Sequence, residues 1–135
     1  LLGKSLLMKV EDLMQARLEC PILKKEDSLK DAILEMTNKP VGACAILEGN
    51  TLKGIIVEGD IRRSIVKSDN ALSMHLKDVM TENPVIVSSQ TLALDALSLM
   101  ESNGKQIYVL PVVDKGEFKG FIRMHDLLKE GFSNR

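Results

Sequence analysis

Residues 54–61 (GIIVEGDI) return as residues 120–127 (GFIRMHDL), and this repeated segment decides the fold. In each copy a glycine opens an apolar stretch that ends at an aspartate, which is typical of a strand running into the first turn of a helix. Shorter segments repeat in the same order: residues 10–14 and 76–80, residues 21–23 and 84–86, and residues 31–36 and 95–100. A unit of about 60 residues is longer than most solenoid repeats, and two copies are too few for an array. The sequence therefore predicts two similar lobes related by a pseudo-twofold axis, with a cleft between them where a ligand can bind.

The composition is that of an ordinary globular chain and excludes some function classes. The 135 residues are 44% hydrophobic and 27% charged, with a formal net charge of −1. This near-neutral charge gives no basis for binding nucleic acid or an anionic membrane, and no apolar run approaches the roughly 20 residues of a membrane span. Cys20 and Cys44 have no paired spacing, which indicates a reducing compartment, so we expect a cytoplasmic location. Because residue 1 is leucine and apolar residues follow it, we expect residues 1–9 to be the tail of a preceding domain or a linker.

The first half is predicted to mix helices and strands. A helical turn at residues 9–15 precedes a short strand at residues 22–24. Ser28 is expected to begin a helix through a capping box with Asp31, since the apolar residues that follow recur on one helical face. Two strands around a tight turn and a second helix complete this half: residues 43–47, 52–57 and 58–67.

The second half repeats this order after a polar connection. A helical turn is expected at residues 76–80. The remaining elements are a strand at residues 85–87, a helix at 91–102, strands at 107–113 and 118–123, and a helix at 124–130. Each half therefore reads β-α-β-β-α, and the predicted fold class is α+β, with two such repeats packed with pseudo-twofold symmetry.

Each half resembles a CBS domain, a module that occurs in tandem and forms a compact pair around a nucleotide-sized cleft. The signature strand-to-helix element corresponds to residues 54–60 in one half and 120–126 in the other. The chain is similar in particular to the paired CBS domains at the C-terminus of arabinose-5-phosphate isomerases. That similarity is carried by residues 7–14 (LMKVEDLM), 59–63 (GDIRR), 110–114 (LPVVD) and 125–128 (HDLL), with Gly131.

The resemblance implies a domain division and a role. CBS domain 1 would cover residues 10–68, a linker residues 69–75, and CBS domain 2 residues 76–135. No nucleophile elbow, catalytic triad or glycine-rich phosphate cradle is recognisable, so we expect this segment to bind a ligand without catalysing a reaction. Neither a cofactor nor a metal site is expected, because neither histidine has a ligand constellation around it.

Asp60 and Asp126 are the first candidate ligand-binding residues. Each follows a predicted strand and lies in the first turn of a helix. A carboxylate there can accept hydrogen bonds from the vicinal hydroxyls of a ribose, and the CBS resemblance implies that role. The competing interpretation is that both are helix-start acids stabilised by the helix dipole.

The neighbouring motif in the first half adds Val57, Gly59, Arg62 and Arg63. The arginines offer planar multi-donor recognition of phosphate or carboxylate, or they are solvated charges that pair with Glu58 or Asp69. Nucleotide-binding CBS motifs usually place threonine or serine where Val57 stands. The first half is therefore expected to be the weaker candidate for binding a phosphate.

In the second half Arg123 occupies the position equivalent to Val57, and its guanidinium could reach an acidic ligand. His125 either faces the cleft as a donor or acceptor or caps the helix at the surface. Tyr108 is expected near the cleft, either stacked on a base or buried with its hydroxyl satisfied.

Three functions are compatible with the sequence. The first is a regulatory module of a sugar-phosphate isomerase, sensing a nucleotide or nucleotide sugar; the isomerase family's pathway leads to 3-deoxy-D-manno-octulosonate and its activated form CMP-Kdo, used in lipopolysaccharide. The second is an adenine-nucleotide sensor. The third is a structural module that makes the parent enzyme a homo-oligomer through CBS–CBS contacts, with Ile65 and the 127–128 pair on the exposed face.

Overall fold

The structure, a computed structural model, describes residues 6–104 and 106–132. The helices are Val10–Leu13 (α1), Leu29–Asn38 (α2), Glu58–Lys67 (α3), Ala93–Met100 (α4) and Met124–Lys129 (α5). The strands are Gln15–Ala16 (β1), Ile22–Leu23 (β2), Ala43–Glu48 (β3), Thr51–Val57 (β4), Thr81–Glu82 (β5), Val109–Asp114 (β6) and Glu117–Arg123 (β7). Short 3₁₀ turns lie at Arg17–Glu19, Ala71–Ser73, Leu76–Asp78 and Ser102–Gly104. The predicted α+β class is confirmed.

Two antiparallel hairpins form the centre of the molecule. Hairpin β3–β4 carries β2 and β5 at its sides and belongs to the first lobe, while hairpin β6–β7 carries β1 and belongs to the second lobe. The hairpins meet at their turns, where Thr51 pairs with Glu117. There the Phe118 N–H donates to the Asn50 carbonyl at 3.0 Å. This junction makes the two lobes one continuous sheet.

The lobes exchange their first segments. Strand β1, from the beginning of the chain, pairs with β7 in the second lobe, and β5, from the middle of the chain, pairs with β4 in the first lobe. Val10 is accordingly buried in the apolar cluster of the second lobe, while Leu76 is buried in that of the first. The Val10 N–H donates to the Thr91 carbonyl and the Leu76 N–H to the Asp27 carbonyl, both at 2.8 Å. Each half of the sequence therefore completes the core of the other.

The repeated glycines, Gly54 and Gly120, lie where the exchanged strands pair with the hairpins. A Cβ atom at Gly54 would lie 2.8 Å from the Thr81 carbonyl oxygen, and one at Gly120 would clash with the backbone of Gln15. Gly120 also has a φ of +151°, which disfavours other residues. Close approach of two backbones thus explains why both copies of the repeat begin with glycine.

A third apolar cluster lies between the lobes and joins them. Along β3, side chains at 43, 45 and 47 enter this central cluster, and those at 44 and 46 enter the core of the first lobe, because successive side chains on a strand face opposite sides. Phe118 and Phe121 come from the second half and pack edge to face, with ring centroids 5.1 Å apart. Both cysteines lie in these apolar clusters, since Cys20 is 1% exposed and Cys44 is fully buried.

Local signals predicted most of the helices and strands, with differences at several of their ends. The helix start at Ser28 is confirmed, because Ser28 Oγ accepts from the Asp31 N–H and Asp31 Oδ2 accepts from the Ser28 N–H. The helix expected at residues 91–102 is limited to Ala93–Met100, and the expected tail at residues 1–9 is described only from residue 6 onward.

The strand predicted at residues 85–87 is wrong, because only Val87 forms a bridge there, to Val112. In the first lobe the Ala45 N–H donates to the Pro21 carbonyl at 2.9 Å. The corresponding position in the second lobe is Pro111, which has no N–H to donate, so the ladder cannot extend along the preceding residues.

Candidate functional site

A cavity of about 850 Å³ opens between the two lobes. Its walls come from both halves of the chain, as the duplication predicts. They are formed by residues 42, 55, 57–59, 62, 63, 81, 83–85, 106–110 and 123–125. A volume of this size accommodates a nucleotide-sized ligand.

Three arginines line this cleft, and its walls are partly apolar. Arg62, Arg63 and Arg123 line it together with Glu58, and Arg63 and Arg123 are also ion-paired with two aspartates that lie behind the wall. Tyr108 is 61% exposed, and its hydroxyl donates to Gln106 Oε1 at 2.9 Å. The burial considered for Tyr108 is therefore wrong, and its ring is available for stacking. This combination suits an anionic ligand that carries an aromatic ring.

Asp60 is buried and its carboxylate is already occupied. Oδ2 accepts from the Val57 N–H at 2.9 Å, which caps the start of α3. Oδ1 accepts from Arg63 Nη2 at 2.7 Å, and Thr81 Oγ1 lies 3.3 Å away. Asp60 is only 6% exposed and does not line the cleft. In this arrangement it acts as a helix-start acid with an ion-pair partner.

Asp126 has the equivalent place in the second lobe, with different partners. Oδ2 accepts from the Arg123 N–H at 3.0 Å, and the Arg123 side chain donates through Nε and Nη2, the latter at 2.7 Å to Oδ1. Gln15 Nε2 also donates to Oδ1 at 3.2 Å, from the exchanged strand β1. Asp126 is 4% exposed and is likewise absent from the cleft wall.

Arg63 and Arg123 therefore bind equivalent aspartates, but one arginine follows its aspartate in the sequence and the other precedes it. Arg123 precedes Asp126 by three residues and grips it with two donors of the guanidinium fork, and its side chain is 25% exposed. This hydrogen bonding, opposed in part by burial, raises the pKa of Arg123 above its ordinary value. Arg63 follows Asp60 by three residues, makes one bond, and its side chain is 64% exposed. The pair in the second lobe is thus the more rigid of the two.

A smaller cavity of about 190 Å³ lies on the other side of Arg63. It is lined by residues 60, 63, 64, 67, 68, 74, 78 and 79. Arg63 is common to both cavities, whereas Asp60 borders only the smaller one. The Arg63 side chain therefore separates Asp60 from the cleft.

The structure brings six of the eight predicted site residues to one cleft: Val57, Gly59, Arg62, Arg63, Arg123 and His125. Asp60 and Asp126 lie behind arginines, so their direct contact with a ligand stays a prediction. The sequence suggested that the adjacent arginines could pair with Glu58 or Asp69. In the structure Arg63 pairs with Asp60 instead.

Sequence reasoning missed several residues of the cleft wall: Thr81, Asn83, Gln106 and Met124. Thr81 lies on the exchanged strand β5, which no local pattern indicates. Asn83 has a φ of +49°, a left-handed conformation that asparagine tolerates better than most residues. The Asn83–Pro84 pair was the available signal for a turn there.

The structure also bears on metal binding and on membrane-spanning helices. Within the part of the chain that the structure describes, no group of three or more histidine, cysteine, aspartate or glutamate side chains is placed to hold a metal ion. Among those same residues, no helix has the length and apolar character needed to cross a bilayer.

Comparison with known proteins gives a consistent family assignment. The sequence model of the CBS domain matches residues 10–67 and 76–133. Arabinose 5-phosphate isomerase KdsD of Francisella tularensis subsp. tularensis (strain SCHU S4 / Schu 4) is 40% identical over 129 residues, which is 95% of this chain. The chain spans only 39% of that relative's length.

Two solved structures share the fold. CBSX2 in complex with AMP is 25% identical, with a TM-score of 0.75, covering 91% of this chain and 95% of that one. A CBS domain-containing protein from Bacillus anthracis str. Ames Ancestor is 18% identical, with a TM-score of 0.81 and 96% of both chains covered. With one family match in each half and this shared architecture, the chain belongs to the CBS domain family, as a tandem pair.

Proposed function

We propose that this CBS pair is the regulatory ligand-binding module of an arabinose-5-phosphate isomerase-like enzyme and that it binds a nucleotide or nucleotide sugar between its lobes. The observation that carries the proposal is the cleft of about 850 Å³, which presents three arginines and the exposed Tyr108. The 40% identity to KdsD supports the parent enzyme. Regulation then requires only that the ligand bind one conformation of the pair more tightly than another.

Within this proposal the end product of the pathway, CMP-Kdo, is the effector that we favour. It carries a base for Tyr108, a phosphate and a carboxylate for the arginines, and hydroxyls for further hydrogen bonds.

Two buried free thiols, Cys20 and Cys44, support a reducing cytoplasmic location.

An adenine nucleotide is the second candidate. The AMP complex of the structural relative CBSX2 favours it. Against it stands Val57, which provides no hydroxyl at the position where nucleotide-binding CBS motifs carry one.

A thermal-shift screen separates these candidates. The chain is heated with CMP, CMP-Kdo, AMP, ATP and arabinose 5-phosphate in turn. A ligand at 100 times its dissociation constant adds roughly 2.7 kcal/mol to the free energy of unfolding, which raises the midpoint visibly. A shift with CMP-Kdo and a smaller one with CMP support the proposal, and a shift with AMP or ATP alone overturns the choice of effector.

A matched pair of variants locates the binding. Tyr108→Ala removes the exposed ring at the cleft, and Leu18→Ala removes a side chain that is 89% exposed and lies outside the cleft wall. The ligand-induced shift should shrink in the first variant only. An absence of shift with every ligand favours the structural role instead, in which Ile65, Val66 and Leu128, all exposed, form a homo-oligomer contact. Leu127, which the sequence placed on that face, is fully buried.

A further inference from the structure

The position of the Arg63 side chain depends on Gly59, one helical turn before it. Gly59 has no side chain, and a Cβ atom there would lie 3.1 Å from Arg63 Nη1. The guanidinium therefore passes over the backbone of Gly59 to reach Asp60, with Nη2 2.7 Å from Oδ1. In this position it forms a wall of the cleft and a wall of the smaller cavity at once.

Arg63 is the partner of Asp60 that can be replaced most easily. Its side chain is 64% exposed and makes a single bond to the carboxylate, so water or an anion in the cleft can reach the guanidinium, although the Asp60 side chain itself is only 7% exposed. When it leaves, Asp60 keeps the Val57 N–H on Oδ2, and Thr81 Oγ1 remains near both oxygens. Arg123 differs on each count, since it donates from two nitrogens and is mostly buried.

We propose that Arg63 is the anion-binding residue of the cleft and that it also controls access to Asp60. A phosphate or carboxylate in the cleft competes with Asp60 for the guanidinium. As the guanidinium turns toward that anion, Oδ1 of Asp60 opens to hydrogen-bond donors of the same ligand. The ligand class is therefore an anion with hydroxyl groups close to its charged group, and its charged end lies at the first lobe.

This orientation is the reverse of the sequence expectation. Val57 made the first half the weaker candidate for a phosphate, because it lacks a hydroxyl. The structure supplies a movable arginine in the same half, whereas Arg123 in the second half is fixed by Asp126. The inference rests on the proposed function, because it requires that the cleft bind a nucleotide-like ligand at all.

Calorimetric titration of the chain with two matched pairs of ligands tests the inference: CMP against cytidine, and AMP against adenosine. Each pair differs only in the phosphate, so the ratio of the two affinities measures phosphate recognition. A charge-assisted hydrogen bond corresponds to a ratio of about ten or more. We expect Arg63→Gln to reduce this ratio to about three or less, with the nucleoside affinity unchanged or increased.

Two further variants make the result specific. Arg63→Lys keeps the charge and should restore part of the ratio, while Lys53→Gln removes an exposed charge outside both cavities and should leave the ratio as it is. Circular dichroism and the melting midpoint confirm that each variant is folded. If neither nucleotide binds the unmodified chain more tightly than its nucleoside, the assignment of Arg63 is overturned, and if CMP-Kdo also gives no thermal shift, the proposed function fails with it. If a nucleotide does bind more tightly and Arg63→Gln keeps the full ratio, or Arg62→Gln abolishes it instead, only the assignment of Arg63 is overturned.

Discussion

The α-carbon of Gly120 packs against the backbone carbonyl of Gln15, although the two residues are far apart in the sequence. This contact lies in the antiparallel pairing of strands β1 and β7. Gly54 and Thr81 form the equivalent contact in the first lobe, between β4 and β5. The first residue of the repeated motif is thus determined by strand exchange between the lobes.

Gly120→Ala should be strongly destabilising, because the added methyl group clashes with a backbone that cannot move without breaking the β1–β7 pairing. We expect a loss of about 3 kcal/mol or more in the free energy of unfolding, measured by urea denaturation. Gly116→Ala is the matched control, since Gly116 also has a positive φ, of +81°, but nothing lies near its missing Cβ. It should cost only about 1 kcal/mol. Equal losses in the two variants would contradict the argument from close backbone approach.

Gly59→Ala should have the opposite effect on stability. Gly59 is in helix α3 with no positive φ, and its close neighbour is the end of a flexible side chain, Arg63. Alanine is a better helix former than glycine by up to about 1 kcal/mol, and we expect a gain of part of that amount in urea denaturation. A loss of more than about 1 kcal/mol would mean that the Arg63 guanidinium cannot move aside.

The two aspartate–arginine pairs should differ in their contribution to stability. Arg123→Met leaves the 4%-exposed Asp126 without its guanidinium partner, and we expect a loss of about 2 kcal/mol. Arg63→Met also leaves a buried carboxylate, but it removes a single hydrogen bond from a side chain that is 64% exposed. The Val57 N–H and Thr81 remain beside Asp60, so we expect a smaller loss of about 1 kcal/mol. Urea denaturation of the two variants side by side measures the difference. If Arg63→Met is the more destabilising, the ranking of the two pairs is wrong.

The cysteines should be unreactive in the native state. Burial raises the pKa of Cys20 to about 11 and that of Cys44 to about 12, so both remain protonated at neutral and mildly alkaline pH. The thiolate is the reactive form. With a thiol-specific disulfide reagent at pH 8, we expect no rapid reaction in buffer and two reacting thiols in denaturant. A fast reaction of either thiol in buffer would show that its site opens without global unfolding.

Two carboxylates should contribute to the loss of stability in acid. Hydrogen bonds from the Ser28 backbone and hydroxyl lower the pKa of Asp31, and hydrogen bonds from the Ser89 side chain and backbone, with Ser88, lower that of Asp114. A lowered pKa in the folded state means that the charged form is favoured by folding. The contribution is therefore present above the ordinary value, about pH 4, and is lost as the pH falls through the lowered pKa.

Asn substitutions measure this contribution. The difference in unfolding free energy between the unmodified chain and Asp31→Asn should be constant near neutral pH and shrink below about pH 4. Asp114→Asn should behave in the same way. A difference that grows as the pH falls would reverse the sign of the argument.

Local sequence signals predicted much of the fold because they act over short distances. The helix Glu58–Lys67 was predicted with the bounds that it has, and the capping box at Ser28 was predicted from two residues three positions apart. The exchange of β1 and β5 was not predicted, because strands of two residues have no periodicity and their partners lie elsewhere in the sequence. No strand forms before Val87, because Pro111 on the neighbouring strand has no N–H to donate. The sequence alone does not show that Val87 and Pro111 are neighbours.

The candidate site was predictable in position more than in detail. The repeated motif located parts of the cleft wall, at residues 57–59, 62, 63 and 123–125, because the duplication implies that both copies meet. The orientation of Asp60 and Asp126 was not predictable, since Asp60 has two arginines after it in α3, Asp126 has one just before α5, and only side-chain packing selects whether they pair. Tyr108 was placed near the cleft, but its exposure depends on tertiary structure.

The strand exchange has a consequence for how the protein can be divided. Neither copy of the repeat forms a complete sheet by itself, because the first segment of each copy pairs with the hairpin of the other and is buried in the other's core. A chain severed between the copies would give two fragments that are each incomplete and mutually complementary. We therefore expect each copy to reach a stable fold only when the other copy is present to complete its sheet and its core.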